Sequence, residues 1–451
     1  MNISIFGTGY VGLTYGAVLS AAGHQVLCLD IDAKKIAQLA QGEISVYEPG
    51  LADLVREMQT AGRLHFSTDL VRGINFSELL YIAVGTPSMV NGAPDLSAIE
   101  QLSTLIANHM FDYKIIVNKS TVPVGTTRNM RDIIERILST RNVSYPFDIV
   151  SNPEFLREGS AIADCRNPDR VIVGCDSPQA KQSLIELYQS IYKSSKPPIL
   201  VMDPESAELT KYAANSFLAT KISFINELAL LAERVGADIE SVRQGMGLDP
   251  RIGQQFLAAG IGYGGGCFPK DLRALLYMAN SIGTDAKLLQ AVESRNEMQK
   301  KVLFNKIRHF FNGDLAGKTI GVWGLSFKPN TSDMREAASI TTIQQLLEAG
   351  AIIQAYDPVA QSEGKKTFQA AEHFVLKGSK EQAVEGADGL AILTEWEEFR
   401  HPNFQHLKML LRLPVIFDGR NIFQPKAMHE MGFIYHAIGR CSLSKLKGNS
   451  A

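Results

Sequence analysis

The 451-residue chain is poor in cysteine and has no long apolar run. Its five cysteines, Cys28, Cys165, Cys175, Cys267 and Cys441, are scattered without CxxC spacing. An odd, sparse set of this kind argues against a disulfide framework and fits a reducing compartment. No uninterrupted apolar stretch is long enough to span a bilayer, so no membrane partner is expected. An excess of charge of one sign is also lacking. The 45 basic and 47 acidic side chains leave a formal net charge of -2. That excludes the strong field that nucleic acid or an anionic membrane surface would require. The first thirty residues are apolar, yet no basic residue precedes Lys34, and glycines and a histidine interrupt the run. A signal peptide is therefore not expected, and the reading is a cytoplasmic protein.

What is present is an ordinary globular composition, 45% hydrophobic and 20% charged, over a length that suits two or three domains. Ile3–Phe6 reads as a strand, "LTYGAVLSAAG" as a helix, and "QVLCLD" as a second strand ending at Asp30. Further strand-like runs follow at "LLYIAVG", "YKIIVNKST", "FDIVSNPEF" and "RVIVG". This alternation predicts an α/β fold with a doubly wound parallel sheet through about residue 200. The segment from Asp203 then predicts a helix of about thirty residues, with Asp203 as N-cap, Pro204 at its first position and Gly236 as C-cap. From Gly317 the pattern begins again. Ala349-Gly350 precedes Asp357 as Ala22-Gly23 precedes Asp30, which predicts a repeated architecture without a repeated function. The expected organisation is two Rossmann-like domains, 1–202 and 301–440, joined by a central helical region at 203–300 that serves for dimerisation. A flexible tail is expected at 441–451.

Gly7-Thr8-Gly9-Tyr10-Val11-Gly12 matches G-x-G-x-x-G, placed after a strand and at the opening of a helix. The first glycine allows the tight turn, the second admits a pyrophosphate, and the third lets helix and strand pack closely. Asp30 at the end of the second strand suits ribose hydroxyls and repels a 2′-phosphate. The cofactor expected is therefore NAD. Asp32 is the alternative acid, and Lys35 is close enough to weaken the discrimination.

"GYGGGCFPKD", Gly262 to Asp271, crowds four glycines ahead of Cys267. Successive glycines bring backbone N–H groups close to an anionic or sugar ligand. Cys267 alone among the cysteines has such a setting. Cys28, within an apolar strand, reads as core. Buried free cysteine is the common alternative for any single thiol.

The ordered set "GTGYVG", "VGTPS", "KSTVPVGT", "NPEFLREG", "KYAANSFLATKISFINE", "DPRIG", "GIGYGGGCFPKD", "GLSFKPNTSDMRE" and "DGRN" resembles the UDP-glucose/GDP-mannose dehydrogenase family, and its UDP-glucose branch most. The resemblance runs from Gly7 to Arg420. Many members carry serine where this chain has Gly266. The resemblance implies a two-step oxidation of a primary alcohol to a carboxylate with two NAD⁺. A thiol would capture the intermediate aldehyde, since the second hydride can leave only from a tetrahedral carbon.

By that resemblance Cys267 is the nucleophile. Lys211 and Asn215, one turn apart on the long helix, face the reacting oxygen. Asp271 orients Lys211 or a water. Glu154 is the base for thioester hydrolysis, with Thr121 holding the water; Glu158 is the competing base. NAD is expected on Gly7, Gly9, Tyr10, Val11, Gly12, Asp30 and Lys35, with Thr86, Pro87, Thr121, Glu158 and Arg335. For UDP-glucose the resemblance nominates Glu154, Phe155, Leu156, Arg157 and Glu158 in "NPEFLREG", and Phe256, Gly260, Gly262, Tyr263 and Gly264 around the glycine run. It adds Phe327, Lys328 and Arg420 for the nucleotide and diphosphate. It further implies a cleft between the two sheets, a homodimer, and an Arg251 that reaches the neighbouring subunit's site.

Overall fold

The computed structural model describes residues 1–192 and 197–440. The expected tail, with Cys441, lies outside the described residues. The chain falls into two compact units. One comprises Met1–Ala214 and Arg273–Gly283; the other comprises Asn215–Leu272 and the chain from Thr284 onward. The segment 203–300, expected as a central region, is thus shared between the two units.

The first unit is built on an eight-stranded sheet. Its strands are β1 (Asn2–Phe6), β2 (Gln25–Leu29), β3 (Leu64–Ser67), β4 (Leu79–Ile82), β5 (Lys114–Asn118), β6 (Phe147–Ser151), β7 (Val171–Gly174) and β8 (Ile199–Met202). Their order is β3-β2-β1-β4-β5-β6-β7-β8. Every ladder is parallel except the single antiparallel pair Ser151–Gly174. Alternate residues of the strands enter two different cores. Ile3, Ile5, Val26, Cys28 and Tyr81 pack on one side, and Phe6, Leu27, Leu29, Leu80 and Ile82 on the other. A parallel sheet covered on both faces needs such continuous apolar runs. Phe6 pairs with both Leu29 and Ile82, so three strand ends finish level. β1 lies between β2 and β4, where the strand order reverses, and that is where such sheets hold ligands.

The second unit carries β9 (Thr319–Trp323), β10 (Ile352–Tyr356), β11 (Phe374–Leu376), β12 (Gly389–Ile392), β13 (Val415–Asp418) and β14 (Ile434–His436), all parallel. Their order, β11-β10-β9-β12-β13-β14, repeats that of the first six strands of the other sheet. The two copies share a device but not a use. Asp30 accepts the Thr8 N–H at 3.0 Å, and Asp357 accepts the Leu325 N–H at 2.7 Å, each tying down the turn after the first strand. Asp357 is fully buried and also accepts the Trp396 indole N–H at 3.1 Å. Asp357 is thus engaged within its own unit.

The long helix is Pro204–Val235, 32 residues. Its length is about 48 Å at 1.5 Å per residue. Asp203 caps it by accepting the Ser206 N–H at 2.7 Å, and Gly236 leaves it at φ +80°. Both ends match the expectation from sequence.

Candidate active site

In the first unit the cofactor turn has the form its motif requires. A Cβ at Gly12 would collide with the Gly7 carbonyl oxygen, so only glycine permits this helix to meet the strand. A Cβ at Gly9 would meet no protein atom within 4 Å. Packing therefore does not demand glycine there; the open space suits a pyrophosphate that approaches the backbone. The Tyr10–Ala21 helix opens at this point, with its unpaired N–H groups facing that space.

Asp30 sits beside the turn. Burial pushes its carboxyl up, but Lys35, Thr8 and the Asp32 N–H outweigh it and hold the pKa down to about 2. The Lys35 ammonium lies 2.8 Å from Asp30 Oδ2, and the Thr8 hydroxyl donates to the same oxygen at 2.7 Å. Lys35, expected close enough to weaken the discrimination, is paired with this acid. Asp32, the alternative acid, N-caps the Ala33–Ala40 helix by accepting the Lys35 N–H. The donor set fits NAD: an ionised acid at the strand end and a turn open to phosphate. Thr86 is buried and donates to the Thr121 carbonyl at 2.8 Å, which brings those two expected residues together.

The "NPEFLREG" segment follows β6. Glu154 is buried, and its Oε2 accepts the Leu156 N–H at 2.5 Å. The Lys211 ammonium donates to the Glu154 carbonyl at 2.6 Å and to its Oε1 at 3.0 Å. The same ammonium lies 5.1 Å from the centre of the Phe155 ring, and the Arg170 guanidinium lies 3.7 Å from it. Two cations therefore grip this ring, a contact worth about 0.5–2 kcal/mol each. Arg157 is paired with Asp164. Behind the segment, the fully buried Lys119 ammonium donates to Asn152 Oδ1 at 3.1 Å and Tyr188 Oη at 3.0 Å, and sits 4.2 Å from the Tyr15 ring centre.

In the second unit Cys267 immediately precedes the Phe268–Ser281 helix, and its carbonyl accepts the Asp271 N–H at 2.8 Å, the first turn of that helix. The thiol is exposed, whereas Cys28, Cys165 and Cys175 are buried. Asp271 is buried and accepts from Asn215 Nδ2 at 2.6 Å and Lys270 Nζ at 2.6 Å. Asp271 thus holds Asn215, a partner that the sequence did not name for it.

The glycines before the thiol are explained by what they touch. Gly265 holds φ +84°, and a Cβ there would lie 2.8 Å from the Phe327 ring. A Cβ at Gly266 would strike the Arg335 guanidinium. Asn296 fixes the run by accepting the Tyr263 N–H at 2.9 Å and donating to its carbonyl at 3.1 Å. Gly260 is held by Asn226 and Gln299. Phe256 adopts φ +62°, a strained backbone for an aromatic residue.

Arg420 donates to the Leu393 and Phe327 carbonyls, and Lys328 lies 5.5 Å from the Phe327 ring centre. Arg335 is forked onto Asp333. Arg251 is forked onto Asp249, with its side chain 87% exposed. Sequence reasoning missed Lys119, Asn152, Arg170, Asn226, Asn296 and Glu48. A buried cation in a strand-like run, as at Lys119, was the one legible signal.

Three family models match in order. The NAD binding domain of the UDP-glucose/GDP-mannose dehydrogenase family matches residues 1–192, its central domain 205–298, and its UDP binding domain 321–425. The chain belongs to the UDP-glucose/GDP-mannose dehydrogenase family. Among its relatives, the UDP-glucose 6-dehydrogenase of Pseudomonas aeruginosa is 44% identical over the full length of both chains. UDP-glucose 6-dehydrogenase TuaD of Bacillus subtilis is 46% identical, over 97% of this chain and 93% of that one. The solved UDP-glucose dehydrogenase of Pyrobaculum islandicum superimposes with a TM-score of 0.88 at 33% identity, covering 97% of this chain and 98% of its own. No helix among the described residues is long and apolar enough to cross a membrane.

Proposed function

We propose that this dehydrogenase oxidises UDP-glucose to UDP-glucuronate in two NAD-dependent steps through a thioester on Cys267. The observation that carries the chemistry is the Cys267 thiol: exposed, at a helix N-terminus, and preceded by glycines that leave no room for a Cβ against Phe327 and Arg335. The full-length relatives that are UDP-glucose 6-dehydrogenases support the choice of substrate.

Bound NAD⁺ supplies the hydride acceptor for each of the two oxidations. In the first, the C6 hydroxyl loses its proton and the C6 carbon loses a hydride, which leaves an aldehyde. The Cys267 thiolate then adds to the carbonyl carbon, forming a C–S bond and a tetrahedral thiohemiacetal. Loss of a second hydride and the hydroxyl proton leaves a thioester. Water attacks that carbon, the C–S bond breaks, and the products are a carboxylate and the regenerated thiol. The positive end of the helix behind Cys267 favours the anionic sulfur. Asn215, fixed by Asp271, donates to the oxygen that becomes anionic, and Lys211 is the cationic donor assigned to the same role. Glu154 is the base for the attacking water, with Thr121 holding that water; Glu158 is the alternative base.

We assign the nucleotide and diphosphate to Phe327, Lys328 and Arg420, and Arg335 to the cofactor. The enzyme acts in the cytoplasm and supplies a precursor for polysaccharide synthesis. A homodimer is supported by Phe217, Phe224 and Leu231. They lie seven residues apart on the long helix and are exposed to 65%, 50% and 56%. Arg251, exposed on the surface, reaches the neighbouring subunit's site in this reading.

The test is stoichiometric. Two NADH per UDP-glucose consumed, with UDP-glucuronate as product, is the expected result. Two NADH only with GDP-mannose or a UDP-N-acetyl-hexosamine would assign the same chemistry to another sugar. Binding without turnover of any of these would overturn the reading.

A further inference from the structure

Glu48 is 5% exposed and takes no part in the chemistry above. Its carboxylate nevertheless makes three contacts with functional segments of the first unit. Oε2 accepts the Tyr10 hydroxyl hydrogen and the Gly159 N–H, the latter at 2.6 Å. Oε1 accepts the Ala161 N–H at 2.7 Å. The Tyr10 hydroxyl also lies 3.2 Å from the Gly159 nitrogen and 3.3 Å from the Arg157 carbonyl.

These partners belong to two different parts of the site. Tyr10 is the first residue of the helix that opens from the cofactor turn. Arg157, Gly159 and Ala161 close the loop that begins at Glu154. Burial first, and then the hydrogen bond to Glu48, push the Tyr10 phenol far above its ordinary value, so it stays a donor. Hydrogen bonds to a carboxylate are shorter and stronger than neutral ones. Here three of them converge on one buried side chain, so neither segment can shift without straining the other.

We infer that Glu48 is a positioning residue that couples the two ligands, tying the cofactor turn to the Glu154–Glu158 segment so that occupancy of one site tightens the other. This rests on reading Gly7–Gly12 as the NAD site and Glu154–Glu158 as part of the UDP-glucose site. A ligand that orders one segment lowers the ordering cost at the other. By linkage the effect is reciprocal. Glutamine has nearly the shape of Glu48, but its amide nitrogen cannot accept an N–H, so at least one of the ties is lost.

NADH and UDP-glucose do not react with each other, so coupling can be read at equilibrium by nucleotide fluorescence on the full chain. Saturating UDP-glucose is expected to tighten NADH binding at least about five-fold in the wild type. In Glu48→Gln the factor falls towards one, while each ligand alone binds within about three-fold of wild type. Tyr10→Phe removes the hydroxyl through which the cofactor-turn helix reaches Glu48, Gly159 and Arg157, and it is expected to lose at least as much coupling as Glu48→Gln. Absence of coupling in the wild type, or its full retention in Glu48→Gln, overturns the inference. Should Glu48→Gln fail to fold, Tyr10→Phe decides, and full coupling in that variant overturns it equally. Failure of the wild type to bind either ligand would instead refute the assignment of the sites.

Discussion

The Lys211 ammonium and the Glu154 carboxylate form an ion pair at 3.0 Å with side chains only 4% and 8% exposed. Removing one partner of such a pair leaves the other charge buried and uncompensated, at a cost of about 3–5 kcal/mol. Lys211→Met is therefore expected to lower unfolding stability by that amount. Lys211→Met combined with Glu154→Gln should recover a large part of it without recovering activity. Urea midpoints of the two single variants and the double variant check this. Equal losses in Lys211→Met and in the double variant would show that the pair is not coupled.

Cys267→Ala is expected to abolish UDP-glucuronate formation while leaving the fold intact, because the thiol is exposed and its loss opens no core cavity. Thiol titration of the native protein should lose one fast-reacting group in this variant. Cys28, Cys165 and Cys175 are buried and should react only on unfolding. Undiminished acid production would remove the sulfur from the mechanism.

Two neighbouring glycines should respond differently to added atoms. Gly265→Ala places a Cβ against the Phe327 ring at φ +84° and should cost about 1–3 kcal/mol in thermal or urea unfolding. The atoms nearest a Cβ at Gly266 all belong to the guanidinium tip of Arg335, a flexible side chain that is 69% exposed. Gly266→Ser should stay within about 0.5 kcal/mol of wild type in stability. Its KM for NAD⁺ should rise, because Arg335 is displaced. An unchanged KM would detach Arg335 from the cofactor.

Lys119 gives a pH signature. Burial lowers its pKa to about 7, against opposing pulls from Cys165 and Glu154. The unfolded value is about 10.4. Between these two values the unfolded chain holds a proton that the folded chain lacks, so stability from this group rises with pH across that window. Below pH 7 the cost is constant, and the total change is about 5 kcal/mol. The difference in stability between wild type and Lys119→Met should therefore shift in favour of the wild type from pH 7 to pH 10. A difference that stays flat over that range would show that Lys119 does not titrate in it.

Much of this was legible in advance because it is local. The alternation of strands and helices, the caps at Asp203 and Gly236 and the three glycines of the cofactor turn each depend on residues close in sequence. The equivalence of Asp30 and Asp357 was legible by spacing alone. The repeat did not reveal that one acid is fully buried under Trp396 while the other stays available. That difference is made by a side chain 39 residues away.

The strand and helix pattern, the cofactor turn and the cysteine placed among glycines are set locally, since backbone geometry and periodicity are written into neighbouring residues. The partner that each polar group takes is fixed by packing at a distance: Asp271 for Asn215, Glu154 for Lys211, Glu48 for Tyr10. Those pairs join residues 56, 57 and 38 positions apart. A buried charge must find its counterpart wherever the packed sheet and helices bring one within reach, and no local pattern in the chain specifies which one arrives.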